Sequence, residues 1–418
     1  MKASIISIGD EILIGKTINT NAAFIGDKLE LLGIEVHEVI TVHDEGDAIK
    51  SAIERAFISS EITIMTGGLG PTKDDITKQV LADFFGADLV RSQEQLDHIR
   101  SYFESRGRIL NELNESVADI PSNAQLLHNP KGTAAGMWFK EAGRILVSMP
   151  GVPNEMRHMV EFEVIPRLTE EFDIPTIIHR HLLTAGIGES TIAEMIGDLE
   201  DDLPDYIKLA YLPSIGQVKL RLSARGDNMS FLADEIDKLE VLFKERIGKY
   251  YFGKDGDTLQ SVVGDLLNEK NETLATAESC TGGNIAHLLT STPGSSSYFM
   301  GSVVAYDNRI KEEILKVPAE TLKEHGAVSE ATIESMVRGV IDLLDVDFAI
   351  ASSGIAGPGG GTEEKPVGTV WVAVGNREKI HARKFHFPLG RLEHIEFTSI
   401  TGLEMLRRFI LRERGQLE

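Results

Sequence analysis

The chain has a single cysteine among its 418 residues, Cys280, and no apolar run that approaches the length of a membrane-spanning helix. One cysteine excludes an intramolecular disulfide and fits a reducing compartment. The lack of a long apolar run argues against an integral membrane protein. The first nine residues become polar too early for a secretory signal peptide, so we expect a cytoplasmic protein with no membrane partner.

Positive charge is also scarce in this sequence. There are 42 lysine and arginine residues against 65 aspartate and glutamate residues, which gives a formal net charge of −23. Nucleic-acid binding needs a cationic face, so we expect no nucleic-acid partner. Five arginines lie between Arg391 and Arg414. We interpret most of them, including Arg407 and Arg408, as the polar side of a terminal amphipathic helix.

Strands and helices alternate in the N-terminal part of the chain. Apolar, β-rich runs at 3–8, 34–42 and 62–66 predict strands, and helical spacing at 21–32 and 48–58 predicts helices between them. This alternation predicts a mainly parallel, doubly wound α/β sheet. At 418 residues the chain is long enough for two or three such domains.

Two polar motifs follow these predicted strands, at Gly9–Gly15 and Thr66–Thr77. Ligands of doubly wound sheets bind beyond the carboxyl ends of the strands, so both motifs are candidates for one site. The glycines of the second motif precede a helix that is predicted to begin near Asp74, where free amides can hold a phosphate. Asp74 and Asp75 could ligate a divalent cation such as Mg²⁺. The alternative is that they only complement the dipole of that helix.

The segment from Pro175 to Phe252 has a different character. Strands are predicted at 176–184, 206–212 and 218–224, and helices at 189–199 and 231–247, which is the pattern of a small α+β domain. The segment contains no Gly-X-X-Gly tetrad, the loop with which nucleic-acid-binding KH domains clamp a backbone.

The stretch Thr276–Gly283 is the most informative part of the chain. An apolar run at 273–277 predicts a buried strand, and helical spacing resumes at Ile285. Ser279 therefore lies at a strand-to-helix turn, where the free amides of a helix N-terminus could receive an oxyanion. The alternative is that Ser279 or Thr281 only caps the helix. The adjacent Cys280 has no histidine nearby in sequence to lower its pKa, and we interpret it as packed.

A serine nucleophile needs a base. No histidine occurs in Thr276–Gly283, in Gly301–Lys311 or in the glycine-rich region Ser352–Trp371. A partly desolvated lysine can lose its proton and activate a hydroxyl, so Lys311 is the candidate base.

The order of these three motifs closely resembles the PncC family of nicotinamide-nucleotide amidohydrolases, which occur alone or as the C-terminal domain of CinA (competence/damage-inducible) proteins. The resemblance implies that Ser279 is acylated, that Lys311 is its general base and that Tyr306 positions the substrate or assists proton transfer. It implies hydrolysis of nicotinamide mononucleotide to nicotinic acid mononucleotide and ammonia, without a cofactor. The implied substrate-binding residues lie in two loops: Cys280, Thr281, Gly282, Gly283, Ser353, Gly354, Gly357 and Gly359.

The N-terminal motifs, together with Asn129–Gly136 and Met149–Met156, resemble the N-terminal domain of the same CinA proteins, which is similar to the molybdopterin-binding fold. This resemblance implies metal-dependent cleavage of the pyrophosphate of ADP-ribose. The implied metal ligands are Asp10, Glu11, Asp74 and Asp75. The implied phosphate and pocket residues are Gly67, Gly68, Gly70, Thr77, Gly132, Thr133, Gly151, Pro153 and Glu155.

The expected organisation has three domains: residues 1–170, molybdopterin-binding-like; residues 175–252, a KH-like linker or dimerisation domain; and residues 257–418, an α/β amidohydrolase. The resemblance also implies a homodimer and nucleotide substrates. Two alternatives remain. One is a pterin-binding or molybdenum-cofactor protein, which would bind pterin when purified. The other is a non-enzymatic competence or DNA-repair partner, which would show salt-sensitive binding to DNA.

Overall fold

The computed structural model describes residues 1–72, 74–172 and 176–417. Contacts divide the chain into two compact units, the first made of Met1–Ile178 with Arg225–Met229, the second of His179–Ala224 with Ser230–Glu418. The predicted start of the middle domain at Pro175 lies outside the described residues. Within the described part, no helix is both long and apolar enough to cross a membrane.

The first unit alternates strands and helices, as the sequence predicts. Its strands are β1 (Lys2–Ile8), β2 (Glu35–Val42), β3 (Ile62–Thr66), β4 (Leu89–Arg91), β5 (Asp119–Pro121), β6 (Gln125–Leu127), β7 (Gly136–Glu141) and β8 (Arg144–Met149). Its helices are α1 (Asp10–Leu13), α2 (Thr20–Leu31), α3 (Gly46–Ser59), α4 (Thr77–Phe84), α5 (Gln93–Glu104), α6 (Glu112–Glu115), α7 (Pro153–Met159) and α8 (Ile165–Glu171).

Six of these strands form the main sheet of the first unit, in the order β2-β1-β3-β8-β7-β6. The first four are parallel, and β7 and β6 add an antiparallel edge. Successive side chains of a strand face opposite sides, so Ile5 packs in one core and its neighbour Ile6 in another. Helices therefore cover both faces of the sheet. Because β2, β1 and β3 are parallel neighbours, their carboxyl ends lie at one edge.

The middle segment forms a second, smaller sheet with the strand order β10-β11-β9-β12. Its elements are β9 (Thr176–Ala185), α9 (Glu189–Asp201), β10 (Ile207–Ser214), β11 (Gln217–Gly226), α10 (Met229–Ile247) and β12 (Tyr251–Lys254). The predicted α+β pattern is present. The strand β12, which was not among the predicted strands, pairs antiparallel with β9.

The C-terminal part of the second unit is built on a five-stranded sheet, in the order β14-β13-β15-β16-β17. Its strands are β13 (Leu274–Glu278), β14 (Phe299–Val304), β15 (Phe348–Gly354), β16 (Thr369–Gly375) and β17 (Ile380–His386). Its helices are α11 (Leu259–Asn268), α12 (Asn284–Thr290), α13 (Asn308–Glu313), α14 (Ala319–His325), α15 (Glu330–Leu344) and α16 (Arg391–Glu413). β14, β13 and β15 are parallel to one another. β16 is antiparallel to β15, and β17 is antiparallel to β16.

The arginines of α16 are less exposed than the sequence suggested. Arg407 is 4% exposed, and both Arg407 and Arg408 bind the buried carboxylate of Glu404. Arg407 also donates to the carbonyl of Lys249, and Arg408 to the carbonyl of Ala185. The interpretation of these two arginines as a solvated helix face was wrong, because this side of α16 packs against the middle sheet.

Candidate active sites

Ser279 lies in the five-residue turn between β13 and α12, where the sequence placed it. Its backbone N–H donates to the carbonyl of Ser352 at the end of the neighbouring strand β15, 2.9 Å away. The turn ends on Gly282 and Gly283, with φ of 62° and 98°, a backbone conformation that glycine adopts without strain. The hydroxyl of Ser279 is thereby fixed at the carboxyl edge of the sheet.

The carboxylate of Glu278 occupies the first amides of α12. It accepts hydrogen bonds from the backbone N–H groups of Gly283, Ile285 and Ala286 at 2.8–3.0 Å. The hydroxyl of Thr281 donates to the same carboxylate at 2.7 Å. The expectation that free helix amides would face an oxyanion was therefore wrong for these positions. Glu278 is fully buried and closes the helix N-terminus from within.

The donors that remain beside Ser279 belong to the turn rather than to the helix. Among the described residues, the backbone N–H groups of Cys280 and Thr281 donate to no backbone carbonyl. The N–H of the residue that follows a nucleophile is a recurrent oxyanion donor in strand-turn-helix hydrolases. The turn thus keeps a local source of oxyanion stabilisation after Glu278 has taken the helix amides.

Lys311 reaches Ser279 from the helix α13. Its amine lies 3.2 Å from the Ser279 hydroxyl and donates to the carbonyl of Ala305 at 2.6 Å. The residue is 1% exposed, and burial lowers the pKa of its amine from the ordinary value of 10.5, with Asp307 opposing the shift. No carboxylate is within salt-bridge distance of the amine among the described residues. These are the conditions under which a lysine can act as a base.

Cys280 and Thr281 are both buried, at 5% and 3% exposure. Cys280 is buried against Val370 and Val372, and burial raises the pKa of its thiol to about 12. The interpretation of Cys280 as packed is consistent with this environment. Thr281 bonds to Glu278 and to the hydroxyl of Ser352, 2.6 Å away. Thr281, Gly282 and Gly283 shape the turn and do not line the cavity.

A cavity of about 290 Å³ opens over Ser279 and Lys311. The predicted loop contributes Ser353, Gly354, Gly357 and Gly359 to its wall, and Tyr306 lies at the rim with 60% of its surface exposed. Its remaining lining residues are Cys280, Asn308, Ala327, Val328, Ile355, Ala356, Gly360 and Arg391.

Arg391 is a charged lining residue of this cavity that the sequence analysis missed. Its guanidinium donates to the Tyr306 hydroxyl at 2.9 Å and to the carbonyl of Gly357 at 2.7 Å. Among the described residues it forms no ion pair. Arg391 is therefore an uncompensated cation at the mouth of the cavity. It begins α16, and its position 80 residues after Lys311 gave no local signal in the sequence.

The first unit has its own cleft, of about 420 Å³, at the carboxyl edge of its sheet. Nine of the predicted residues line it: Glu11, Gly67, Gly68, Gly70, Asp74, Asp75, Thr133, Gly151 and Glu155. Four do not line it: Asp10, Thr77, Gly132 and Pro153. Asp10 pairs with His43 at 2.7 Å, the Thr77 hydroxyl donates to the carbonyl of Gly67, and Pro153 begins α7. A Cβ at Gly132 would collide with Glu155, so this glycine supports the wall from behind.

The helix after the glycine motif begins at Thr77, three residues later than predicted from Asp74. Asp74 and Asp75 lie in the preceding turn, where Asp75 accepts from the backbone N–H and the hydroxyl of Thr72 at 2.9 and 2.5 Å. The two glycines before the turn are needed for its shape. Gly67 and Gly68 have φ of 112° and 66°, and a Cβ at Gly68 would collide with Thr77.

Asp44 joins the acidic residues of this cleft, and the sequence analysis missed it. Burial raises the pKa of its carboxyl, and the negative charges of Asp10, Glu11 and Asp74 act in the same direction. Burial also raises the pKa of Glu155, against the hydrogen bond from Asn129 at 2.7 Å. The cleft is thus crowded with carboxylates whose mutual repulsion a cation would relieve.

A divalent metal fits this donor set only in part. Carboxylate oxygens are the ligands that Mg²⁺ prefers, but within the described residues no three acidic, histidine or cysteine side chains converge on one point. Mg²⁺ commonly takes one or two protein carboxylates and completes its shell with substrate phosphates and water. The cleft fits a cation that arrives with a phosphate-bearing ligand.

Three family models match the chain, one after another. Residues 4–170 match the "Probable molybdopterin binding domain", residues 179–253 the "Damage-inducible protein CinA KH domain", and residues 256–410 the "CinA C-terminal domain". The fold described above is therefore a molybdopterin-binding-like domain, a KH-like domain and a CinA C-terminal domain, as the resemblance implied.

Relatives match over the whole length. The "CinA-like protein" of Cytophaga hutchinsonii is 47% identical over 406 residues, which cover 97% of both chains. The "CinA-like protein" of Salinibacter ruber is 44% identical, with 98% of this chain and 99% of that one covered. A crystal structure of the competence/damage inducible protein CihA from Agrobacterium tumefaciens is 40% identical and covers 35% of this chain and 91% of its own, with a TM-score of 0.35. By its identity to full-length relatives and its three domain matches, the chain belongs to the CinA family.

Proposed function

We propose that the C-terminal site hydrolyses the carboxamide of nicotinamide mononucleotide to nicotinic acid mononucleotide and ammonia. The observation that carries the proposal is the buried amine of Lys311, 3.2 Å from the hydroxyl of Ser279. A desolvated lysine beside a serine at a strand-to-helix turn is a nucleophile with its base. The resemblance to the nicotinamide-nucleotide amidohydrolases supplies the identity of the substrate.

In the proposed reaction the Ser279 oxygen attacks the carboxamide carbon while its proton passes to the neutral amine of Lys311. The oxyanion that forms accepts the turn N–H of Cys280. Lys311 then returns the proton to the nitrogen of the collapsing intermediate, and ammonia leaves an acyl-serine. Water then attacks the ester while one of its protons passes to Lys311. Lys311 returns that proton to the leaving Ser279 oxygen, and nicotinic acid mononucleotide is released. No cofactor is needed for these steps.

Arg391 gives the site a means of holding the nucleotide. A guanidinium binds phosphate oxygens in a bidentate manner, and Arg391 lies at the cavity mouth with no counter-ion among the described residues. Glycines 357, 359 and 360 line the same wall, where backbone amides can approach an anion. We infer that the 5′-phosphate binds there while the ring amide faces Ser279.

The test measures ammonia and nicotinic acid mononucleotide released from nicotinamide mononucleotide by the full chain without added metal. We expect turnover in the native protein and a loss of at least about 10³-fold in Ser279→Ala and in Lys311→Met. Lys323→Met, which removes an exposed lysine of the same domain, should retain activity. Activity that survives Ser279→Ala would move the nucleophile elsewhere. No turnover in the native protein would overturn the proposal.

We further propose that the cleft of the first unit cleaves the pyrophosphate of ADP-ribose, with a divalent cation, to AMP and ribose 5-phosphate. The observation that favours this second activity is the set of cleft carboxylates that faces the turn of Gly67, Gly68 and Gly70. In this proposal the backbone of the turn holds phosphate oxygens, and Asp74, Asp75 and Glu11 hold the cation. When bound, the cation would neutralise the charge that develops on the phosphoryl oxygens.

AMP release from ADP-ribose tests this activity, with MgCl₂ and with EDTA. We expect release only with the cation, and a loss of at least tenfold in Asp75→Asn and in Asp44→Asn. Asp47→Asn is the matched control, because Asp47 is an exposed acid of the next helix and does not line the cleft. Equal activity in EDTA, or no difference between Asp44→Asn and Asp47→Asn, would contradict the proposal. The homodimer remains a separate proposal, which light scattering of the purified chain tests.

A further inference from the structure

A third cavity, of about 480 Å³, lies inside the second unit and shares no lining residue with the two sites above. Its volume falls within the range of about 300–1,000 Å³ that is typical of small-molecule sites. One wall comes from two turns of the middle sheet, at Gly186–Glu189 and Pro213–Val218. The other comes from β17, the loop after it and α16.

Aromatic rings dominate the wall that the C-terminal domain provides. The rings of Phe385 and Phe387 stack with centroids 5.3 Å apart and an interplanar angle of 25°. The ring of Phe397 lies 4.4 Å from that of Phe387. All three residues are half-buried and line the cavity. Such a surface favours a flat aromatic ligand, which can continue the stack.

The lining residues carry two acids and two bases, and the buried Arg407 that binds Glu404 adds a third cation. Glu404 is buried and accepts hydrogen bonds from two cations, Arg407 and Arg408, so its negative charge is more than neutralised. Arg383 lies over the Phe385 ring at 5.0 Å and has no ion pair among the described residues. Glu189, an exposed acid in the first turn of α9, is the opposing charge. In a chain with a net charge of −23 this local balance favours an anionic ligand.

The wall from the middle sheet is held close to α16 by two glycine turns. Gly186 and Gly216 have φ of 70° and 71°, and the N–H of Gly186 donates to the carbonyl of Gly216. A Cβ at Gly216 would lie 3.0 Å from the side chain of Ile400, and one at Gly186 would lie 3.1 Å from Arg408. The two turns therefore form a defined wall rather than a loose cover.

The aromatic wall also contacts the turn that carries Ser279. Phe385, Phe387 and Met405 pack against the buried cluster of Cys280, Val370 and Val372. The N–H of Phe387 donates to the carbonyl of Gly368, and the N–H of Gly368 donates to the carbonyl of Ile355, both at 2.8 Å. Ile355 lines the cavity over Ser279. A ligand that moves Phe387 would shift two supports of the C-terminal site.

We propose that this cavity is a regulatory binding site for a small planar aromatic anion, a ring that bears one carboxylate or phosphate. The ring stacks on Phe387 and Phe397, and the anionic group binds Arg383. Occupancy alters the turnover at Ser279 through Phe387 and Cys280. The regulatory part rests on the proposed amidase function, whereas the binding part does not.

The test uses 1-naphthoate as the probe and titration calorimetry of the full chain, so that binding is measured without catalysis. We expect saturable binding to the native protein and to Ser279→Ala, and at least tenfold weaker binding to Arg383→Gln and Phe397→Ala. Lys384→Gln is the matched control, because Lys384 is the next residue of β17, is exposed and does not line the cavity. Unchanged thermal unfolding of each variant shows that the fold is retained.

Binding that is equal in Arg383→Gln and Lys384→Gln would overturn the proposal, as would equal affinity for 1-naphthylmethylamine, which carries the opposite charge. Competition between naphthoate and nicotinic acid mononucleotide in Ser279→Ala would move the probe to the other cavity and would also overturn it. If binding follows the expected pattern, the turnover of nicotinamide mononucleotide is then measured with and without naphthoate. A naphthoate-dependent change in the native protein and in Lys384→Gln, but not in Arg383→Gln, supports the regulatory part. Unchanged turnover throughout would remove that part and leave the site.

Discussion

The carboxylate of Glu278 accepts the amide hydrogen of Ala286, 2.8 Å away, across the turn that carries Ser279. The acid that precedes the predicted nucleophile therefore caps the helix that follows it. Since the same carboxylate also binds the amides of Gly283 and Ile285, the turn is closed by groups outside the cavity. The hydroxyl of Ser279 lies on the cavity side of the turn, 3.2 Å from the amine of Lys311.

Replacement of Glu278 by glutamine should destabilise the C-terminal domain. In the native protein the carboxylate of Glu278 accepts hydrogen bonds from several backbone N–H groups. In the variant, one carboxylate oxygen is replaced by an NH₂ group, which cannot accept them. Each hydrogen bond to a charged group contributes about 1.5–3 kcal/mol. We expect a loss of about 2–4 kcal/mol, measured by urea unfolding of that domain's transition. Glu312→Gln, at an exposed position of α13, should change it by less than about 0.5 kcal/mol. Equal unfolding of the two variants would contradict the capping role.

The proposed amidase activity should depend on pH through Lys311. Burial lowers the pKa of its amine below 10.5, so the protonated, inactive form prevails below the lowered value and the neutral base above it. We expect kcat/KM for nicotinamide mononucleotide to rise with pH, with its midpoint below 10.5. Between the lowered pKa and 10.5 the unfolded chain binds the extra proton, so the free energy of unfolding also rises with pH. A midpoint at or above 10.5 would show that the lysine titrates as if exposed.

Arg391 should contribute to substrate binding in a phosphate-dependent manner. We expect Arg391→Gln to raise KM for nicotinamide mononucleotide by about tenfold or more, because a charge-assisted hydrogen-bond pair to phosphate is lost. Nicotinamide riboside, which lacks the phosphate, is the matched substrate, and its kcat/KM should change little. Tyr306→Phe, which removes the hydroxyl bound to Arg391, should show a smaller effect of the same kind. Equal losses with both substrates would assign Arg391 a structural role.

The glycine turn of the first unit should be sensitive to substitution at Gly68. Gly86, which lies outside this turn, should tolerate substitution better. Both residues have a positive φ, 66° and 61°. A Cβ at Gly68 would collide with Thr77, whereas nothing lies within 4 Å of a Cβ at Gly86. Gly86→Ala should therefore cost about 1–2 kcal/mol for the backbone conformation alone. Gly68→Ala should cost more and should also abolish cleavage of ADP-ribose. A similar loss of stability in both variants would contradict the observed packing.

Local patterns in the sequence were sufficient for the strand-to-helix turn at Ser279. The apolar run before it and the helical spacing after it are both short-range signals, and the helix α12 begins where they indicate. The same reasoning could not assign Glu278, because its partners are backbone amides whose availability depends on the three-dimensional turn. The family resemblance, rather than the local pattern, implied that Thr281, Gly282 and Gly283 bind substrate, and they do not line the cavity.

Residues that come from distant elements were missed for a related reason. Arg391 was interpreted with its neighbours as the polar face of a helix. A sequence pattern indicates which residues share a helix face, but not which part of the protein that face contacts. Asp44 follows β2 as Asp10 follows β1 and Gly67 follows β3. Since these strands are adjacent and parallel, the strand order alone would have placed Asp44 at the cleft, but that order is a property of the fold.

The helix α16 extends over 23 residues without interruption. At 1.5 Å per residue it is about 35 Å long, and its axial length is fixed by hydrogen bonds along its whole length. Arg391 begins it at the cavity over Ser279, and Arg407 and Arg408 tie its other half to the middle sheet. Such a rod transmits rotation and axial displacement without absorbing them. Any tilt imposed on the far half by the middle sheet therefore reappears as a displacement of the Arg391 guanidinium at the cavity over Ser279.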